Sequence, residues 1–312
     1  MAVVTAKPPK VLVWLREIRA PFLVASAVPV VVGSAAGFAS CGHFSWGFFA
    51  AALAGATFLH AGANIANDYF DHVSGNDAAN HNLTPFSGGS RVIQEGLMTP
   101  REVLAEAGVF WIAGLAIGGV LATLMHSAFL WALTGIGFVG GYLYTAPPVR
   151  LGYRGFGETA FAILFGVLPV MGSFYLQTGE VAAWTLIPGG LLGVLVALIL
   201  FVNEFPDEEA DRATGKRTLV VLLGRERAAR LYFALLGGTY ILAGIAAWQA
   251  VPMRLAGILF IATSPILVVT LRFAARELPR PTGKFAANAM TILLFVLAGL
   301  SLAAGFIISG WR

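Results

Sequence analysis

The sequence predicts an all-α integral membrane bundle of nine transmembrane helices, with a cytoplasmic N-terminus and two parallel four-helix-like units around a central cavity. Three observations carry this reading. Of 312 residues, 58% are hydrophobic and only 12% charged, with a mean hydropathy of +0.79; a soluble chain carries roughly 25% charged residues. Apolar windows of about 20 residues, the length that crosses a bilayer, recur along the whole chain. Lys and Arg fall almost entirely in alternate connections between those windows.

The windows lie at 21–40, 46–67, 103–124, 128–146, 158–177, 183–203, 229–250, 254–272 and 286–309. Short connections at 41–45, 125–127 and 178–182 alternate with longer polar ones. With the N-terminus in the cytoplasm, the cytoplasmic segments hold 18 of the 20 basic residues, from Lys7, Lys10, Arg16 and Arg19 to Lys284, leaving Arg254 and Arg312 outside. That bias sets orientation. The acidic residues share the same side apart from Glu180, which the orientation rule does not require, so their placement is read as functional. The chain is expected to be one domain over 1–312, with cytoplasmic cap loops at 72–101, 147–157 and 204–230.

Several classes are set aside. The net charge of +4 and pI near 9.4 come from basic residues that punctuate apolar runs, not from a basic face, so no nucleic acid is expected. A single cysteine, Cys41, gives no disulfide framework or Cys-based metal site. The first apolar run is longer than a signal-peptide core of about 7–15 residues, so it reads as a span rather than a cleaved leader.

Two acidic clusters carry the chemistry. Asn64, Asn67, Asp68 and Asp71 follow i, i+3, i+4, i+7 spacing at the end of the second span, which places them along one side of a helix. Asn203, Asp207 and Asp211 follow i, i+4, i+8 spacing at the end of the sixth, with Glu204, Glu208 and Glu209 beside them. Oxygen ligands gathered at a membrane edge suit a hard divalent cation, foremost Mg²⁺. So much negative charge needs a cation or basic groups to neutralise it, and Arg212, Lys216 and Arg217 follow at once. Pro206 is expected to distort its helix and free backbone groups beside a water-filled cavity. The matched Asn-x-x-x-Asp pairs, Asn67/Asp71 and Asn203/Asp207, are a weak internal echo.

Weaker features surround these clusters. Ser87-Gly88-Gly89-Ser90-Arg91 can cradle phosphate oxygens through backbone N–H groups, hydroxyls and a guanidinium. Arg19, Arg150 and Arg154 are either orientation determinants or diphosphate ligands. Tyr142 and Tyr144 either anchor the fourth span at the interface or face the cavity and stabilise a carbocation. The histidines show no metal-ligand spacing.

Asn67-Asp68-x-x-Asp71 and Asp207-x-x-x-Asp211, at the ends of spans 2 and 6, resemble the signature of the UbiA superfamily of membrane prenyltransferases. Asn67 through Asp77, Tyr144-Thr145, Leu151-Gly152-Tyr153, Gly155 through Glu158 and Gly215 through Leu219 are most similar to the 1,4-dihydroxy-2-naphthoate polyprenyltransferases of menaquinone biosynthesis. Ala66 and Gly75 depart from the 4-hydroxybenzoate enzymes, which usually carry Arg and Asp there. The resemblance implies a cytoplasmic-membrane enzyme, the inner membrane in a two-membrane cell. Mg²⁺ on Asn67, Asp71, Asp207 and Asp211 would bind the diphosphate of a polyprenyl donor. Lys216, Arg91 and Arg150, with Arg19, Ser90 and Arg217, would neutralise the leaving group. The allylic cation then attacks the carboxyl-bearing carbon of an aromatic acid, with CO₂ lost on the way to demethylmenaquinone. Asp68 would orient or deprotonate the acceptor, and Asn64, Tyr142 and Tyr144 would contact substrate. No protein partner is implied. The alternatives are another acceptor, such as 4-hydroxybenzoate, or a cation-coupled transporter, which both acidic clusters lying at one edge disfavours.

Overall fold

A computed structural model of the chain describes residues 8–249, 251–280 and 283–310. Lys7 and Arg312, counted above for orientation, lie outside these residues. Among the described residues there is no strand. The helices are α1 (Lys10–Glu17), α2 (Val24–Cys41), α3 (Trp46–Ser74), α4 (Asn76–Ala79), α5 (Pro100–Leu124), α6 (Ala128–Thr145), α7 (Gly157–Ala162), α8 (Leu168–Thr178), α9 (Leu186–Ala213), α10 (Leu219–Leu223), α11 (Arg225–Gln249), α12 (Arg254–Ile261), α13 (Ser264–Glu277) and α14 (Ala286–Ser309). A π-helical segment, Ile163–Val167, joins α7 to α8.

Eight helical stretches are long and apolar enough to cross a membrane, and α12 with α13 makes a further pair bent by 44°. The eighth expected span is therefore not a straight helix. Pro265 stands in the first turn of α13 and cannot continue the ladder of α12. Thr263 at the break donates its hydroxyl to the Phe260 carbonyl at 2.6 Å and pairs with the Tyr240 hydroxyl at 2.6 Å.

The two spans that carry the acidic clusters run on past their apolar limits, to Ser74 and Ala213. The expected loops at 72–101 and 204–230 are correspondingly shorter, and they hold the helical turns α4 and α10. Pro206 does not break α9 either. It lacks the N–H that the Val202 carbonyl would accept, and Asn288 of α14 donates to that carbonyl instead, at 3.3 Å. The freed group is met by protein rather than by the cavity.

The inner helices are α2 and α9, 67% and 72% buried over their apolar windows. Small residues let their neighbours approach: a Cβ on Gly33 would lie 2.2 Å from the Val170 carbonyl oxygen of α8, and one on Gly166 would lie 2.2 Å from the Gly193 Cα of α9. Close backbone approach through glycine is how helices pack where lipid removes the hydrophobic drive. Helix α14 packs on both α2 and α9, so the two halves of the chain share one centre instead of forming separate bundles. The ends of α3 and α9 line one cavity beside this centre.

Candidate active site

The cluster on α3 divides in two. Asp71 is buried at the cavity wall. Its Oδ1 accepts the Tyr153 hydroxyl at 2.5 Å, and its Oδ2 accepts Lys216 Nζ at 3.0 Å and Asn67 Nδ2 at 3.3 Å. Asn64 and Asn67 line the same cavity. Asp68 does not. Its Oδ2 accepts the Ser90 backbone N–H at 2.7 Å, and Arg19 Nη1 stands 4.0 Å from Oδ1. A Cβ on Gly89 would lie 3.2 Å from that Oδ1, so the loop covers Asp68. In this structure Asp68, expected to contact an acceptor, holds the loop instead of lining the cavity.

On α9, Asp207 Oδ1 accepts Asn80 Nδ2 at 2.7 Å, and Asp211 Oδ1 accepts Asn76 Nδ2 at 2.9 Å. Asn203 Oδ1 accepts Asn288 Nδ2 at 2.8 Å. All three α9 residues line the cavity. Asn76 and Asn80 were not singled out in the sequence, although their i, i+4 spacing directly after the first cluster repeats the pattern of the clusters themselves. Glu204, beside the second cluster, is buried in the cavity wall with Oε2 lacking a partner.

Lys216 joins the two clusters. Its ammonium lies 3.0 Å from Asp71 and 3.8 Å from Asp211, and 5.2 Å above the Tyr153 ring. Burial acts to lower its pKa, but the two carboxylates outweigh that and hold it well above the ordinary lysine value. The Tyr153 phenol is pushed up by burial and then by Asp71, so its proton stays on and donates. Of the basic residues expected at a diphosphate, Arg19 and Lys216 line the cavity. The others turn elsewhere: Arg91 Nη1 donates to the Asp77 carbonyl at 2.5 Å, Arg150 packs 5.3 Å over the Tyr153 ring, and Arg217 is exposed. The Ser90 hydroxyl donates to Glu17, while Ser87, Gly88 and Gly89 face the cavity. Tyr144 lines the cavity, but Tyr142 sits in an aromatic cluster with Phe70, Trp111 and Phe138, outside its lining.

The polar cavity encloses about 1220 Å³. It shares His60, Ala63, Gly141, Leu164 and Phe165 with an apolar cavity of about 910 Å³ between α3, α5, α6 and α8. Leu164 and Phe165 come from the π segment, a distortion that often re-aims side chains at functional sites. His60, assigned nothing in the sequence, stands at the junction, 3.1 Å from the Ser26 hydroxyl. One end can therefore hold a charged group and the other a hydrocarbon chain.

The donor set fits Mg²⁺. Its members are carboxylate and amide oxygens of Asn67, Asp71, Asn203, Asp207 and Asp211, all at one cavity. Among the described residues no three acidic, His or Cys side chains converge into a cage of their own. Mg²⁺ does not need one, since it takes one or two carboxylates and completes its shell with phosphate and water oxygens.

A second buried acid lies behind the loop. Burial, and then the Asp68 carboxylate, push the Glu17 carboxyl from 4.5 up to about 8. Asp77 is pushed up to about 8 by burial and then by Asp71 and Asp68. A carboxyl whose folded pKa is raised contributes stability that is complete below the unfolded value and is lost as pH rises through about 8. Glu17→Gln keeps the acceptor for Ser90 and removes the titration. The thermal midpoint of this variant is expected to fall less steeply than wild type between about pH 5 and 8, measured by thermal unfolding in detergent at fixed ionic strength.

The family model for the UbiA prenyltransferase family matches residues 26–298. Over 304 residues, 96% of each chain, the protein is 30% identical to a 1,4-dihydroxy-2-naphthoate octaprenyltransferase of Escherichia coli (strain K12). Over 308 residues, 96% of this chain and 93% of the other, it is 28% identical to a 2-carboxy-1,4-naphthoquinone phytyltransferase of Synechocystis sp.. Its fold matches that of a UbiA homolog from Archaeoglobus fulgidus solved with DMAPP and Mg²⁺, with a TM-score of 0.66 at 20% identity, covering 93% of this chain and 99% of that one. With facing acidic clusters beneath a loop and an apolar groove leading away, the chain belongs to the UbiA prenyltransferase family and is a membrane prenyltransferase.

Proposed function

We propose that the protein transfers a polyprenyl group from an isoprenyl diphosphate to 1,4-dihydroxy-2-naphthoate, releasing diphosphate and CO₂, in a Mg²⁺-dependent reaction at the cytoplasmic face of the cell's inner membrane. The observation that carries this reading is the junction of a carboxylate-lined polar cavity with an apolar groove, in a chain similar to 1,4-dihydroxy-2-naphthoate octaprenyltransferases. Taking the bent α12/α13 pair as one span gives nine, and the basic residues of the connections support a cytoplasmic N-terminus with both clusters on that side.

The diphosphate lies between α3 and α9, with Lys216 and Arg19 at its oxygens and the prenyl chain in the groove past His60 and Phe165. Asn67, Asp71, Asn203, Asp207 and Asp211 would hold Mg²⁺, which would supply Lewis-acid charge for the departing diphosphate. The donor's C–O bond breaks with its electron pair leaving on diphosphate. Lys216, held cationic by Asp71 and Asp211, is placed to stabilise that charge. Tyr144 and the Phe161 and Phe165 rings offer π-faces to the allylic cation. The carboxyl-bearing ring carbon forms the new C–C bond, and loss of CO₂ returns its bonding pair to the ring, giving the hydroquinone form of demethylmenaquinone. The loop over Asp68 excludes water, which would otherwise capture the cation.

The test uses purified protein in nanodiscs with Mg²⁺, geranylgeranyl diphosphate and carboxyl-labelled dihydroxynaphthoate. One labelled CO₂ is expected per prenylated product, with loss of both on chelation of the metal. Product formed only with 4-hydroxybenzoate, its carboxyl retained, would overturn the acceptor assignment.

A further inference from the structure

Helix α1 lies ahead of the first span, and its surface is inverted for a helix meeting water. Val11, Leu12 and Leu15 are 69%, 56% and 52% exposed and Trp14 is 41% exposed, whereas Val13 and Glu17 are buried. Its charged groups pair with neighbouring segments, two of the pairs at the surface. Arg16 holds Glu95 with both Nη atoms at 2.6 Å, Lys10 reaches Glu102 in the first turn of α5 at 3.4 Å, and Glu17 accepts the Ser90 hydroxyl. The Ile18 carbonyl accepts Asn64 Nδ2 from α3 at 3.4 Å, and a 3₁₀ turn from Ala20 leads straight into α2. The helix is thus tied to the ends of α2, α3 and α5, with its apolar residues left uncovered.

We propose that α1 lies in the plane of the bilayer surface on the active-site side, with Val11, Leu12, Trp14 and Leu15 in lipid, and that through Glu17 it straps the Ser87–Ser90 loop over the site. A short helix with a tryptophan and branched apolar residues on one side and its charges neutralised on the other is built to lie in the membrane interface. The strap runs from Glu17 to the Ser90 hydroxyl, and from the Ser90 N–H to Asp68 at 2.7 Å. Because Ser87, Gly88 and Gly89 line the polar cavity, lifting α1 out of lipid loosens that wall. Glu17 is a positioning residue in this arrangement. The strap's effect on substrate rests on the diphosphate reading above; the lipid placement of α1 does not.

Two measurements test the two halves. In a Cys41→Ser background, nitroxide labels at Leu12→Cys, Leu15→Cys and the exposed loop position His81→Cys are compared in nanodiscs by power-saturation electron paramagnetic resonance. Dissolved oxygen is expected to relax the labels at 12 and 15 more than a water-soluble nickel chelate does, with the reverse at 81. Nickel prevailing at 12 and 15, or exclusion of both reagents by a protein covering that face, overturns the proposal. In the second measurement, Leu12→Glu/Leu15→Glu is expected to raise KM for the prenyl diphosphate by about fivefold, the worth of one net hydrogen bond, with kcat unchanged. An unchanged KM beside lipid-exposed labels overturns the strap. A wild-type protein that transfers no prenyl group to any acceptor instead overturns the proposed function, leaving the resonance result standing.

Discussion

Asp71→Asn is expected to lower the rate of prenyl transfer by roughly 10²- to 10³-fold, the cost of removing one preorganised electrostatic group from a reaction whose barrier is charge separation. Asp71 is where the two halves of the site meet, since it accepts from Tyr153, Lys216 and Asn67 at once. Asparagine has the same shape, so the helix and the packing of Tyr153 should survive. The substitution removes the anionic oxygen that Mg²⁺ would use, and it leaves Lys216 facing only the more distant Asp211. Initial rates over a Mg²⁺ series separate these effects: a lost metal ligand raises the metal concentration needed for half-maximal rate, and excess metal restores part of the activity. An Asp71→Asn enzyme within about threefold of wild type at every Mg²⁺ concentration would remove Asp71 from the metal set.

Lys216→Met carries the second large expectation, and it acts on stability as well as rate. The ammonium is only 15% exposed and stands against carboxylates that are 8% and 2% exposed. Removing one partner of a buried ionic group leaves the others uncompensated, at a cost of about 3–5 kcal/mol. Without metal, the thermal midpoint should therefore drop by at least about 5 °C, while transfer falls by roughly 10²-fold through lost stabilisation of the departing diphosphate. Mg²⁺ should recover much of the stability and little of the rate, because it can neutralise Asp71 and Asp211 but cannot replace Lys216 at the leaving group. Thermal unfolding in detergent with and without Mg²⁺, beside the rate assay, reads both. Equal midpoints for variant and wild type without metal would mean that Lys216 does not hold the two clusters together.

Much of this architecture is legible along the chain because lipid imposes a simple rule. Lipid offers a backbone group no partner, so a span has to be a long apolar run that pairs its own backbone as a helix. The apolar runs follow from that constraint, and the lopsided basic residues from the separate bias that orients the spans. The bend between α12 and α13 does not, because an apolar window measures length and says nothing about a Thr263–Tyr240 contact. The clusters show the same limit at finer scale. Asn67 and Asp71, four residues apart, point within about 40° of each other around a helix, whereas Asp68 is turned about 100° from Asn67. The spacing gathers all of them on one side, but the loop's position decides that Asp71 meets the cavity and Asp68 meets Ser90.

The two acidic clusters beside Lys216 were determined by the sequence itself, since helical spacing and a membrane edge leave those residues few other places to be. Only the tertiary structure decided which groups answer them. Asn76 and Asn80 reach Asp211 and Asp207, Tyr153 reaches Asp71, Glu17 reaches Ser90, and Arg91, Arg150 and Tyr142 turn away. The contacts made by Asn76, Asn80, Tyr153 and Glu17 join residues 73 to 135 positions apart in the chain. Local periodicity reports which face of a helix is polar; it carries no information about what the rest of the chain brings to that face.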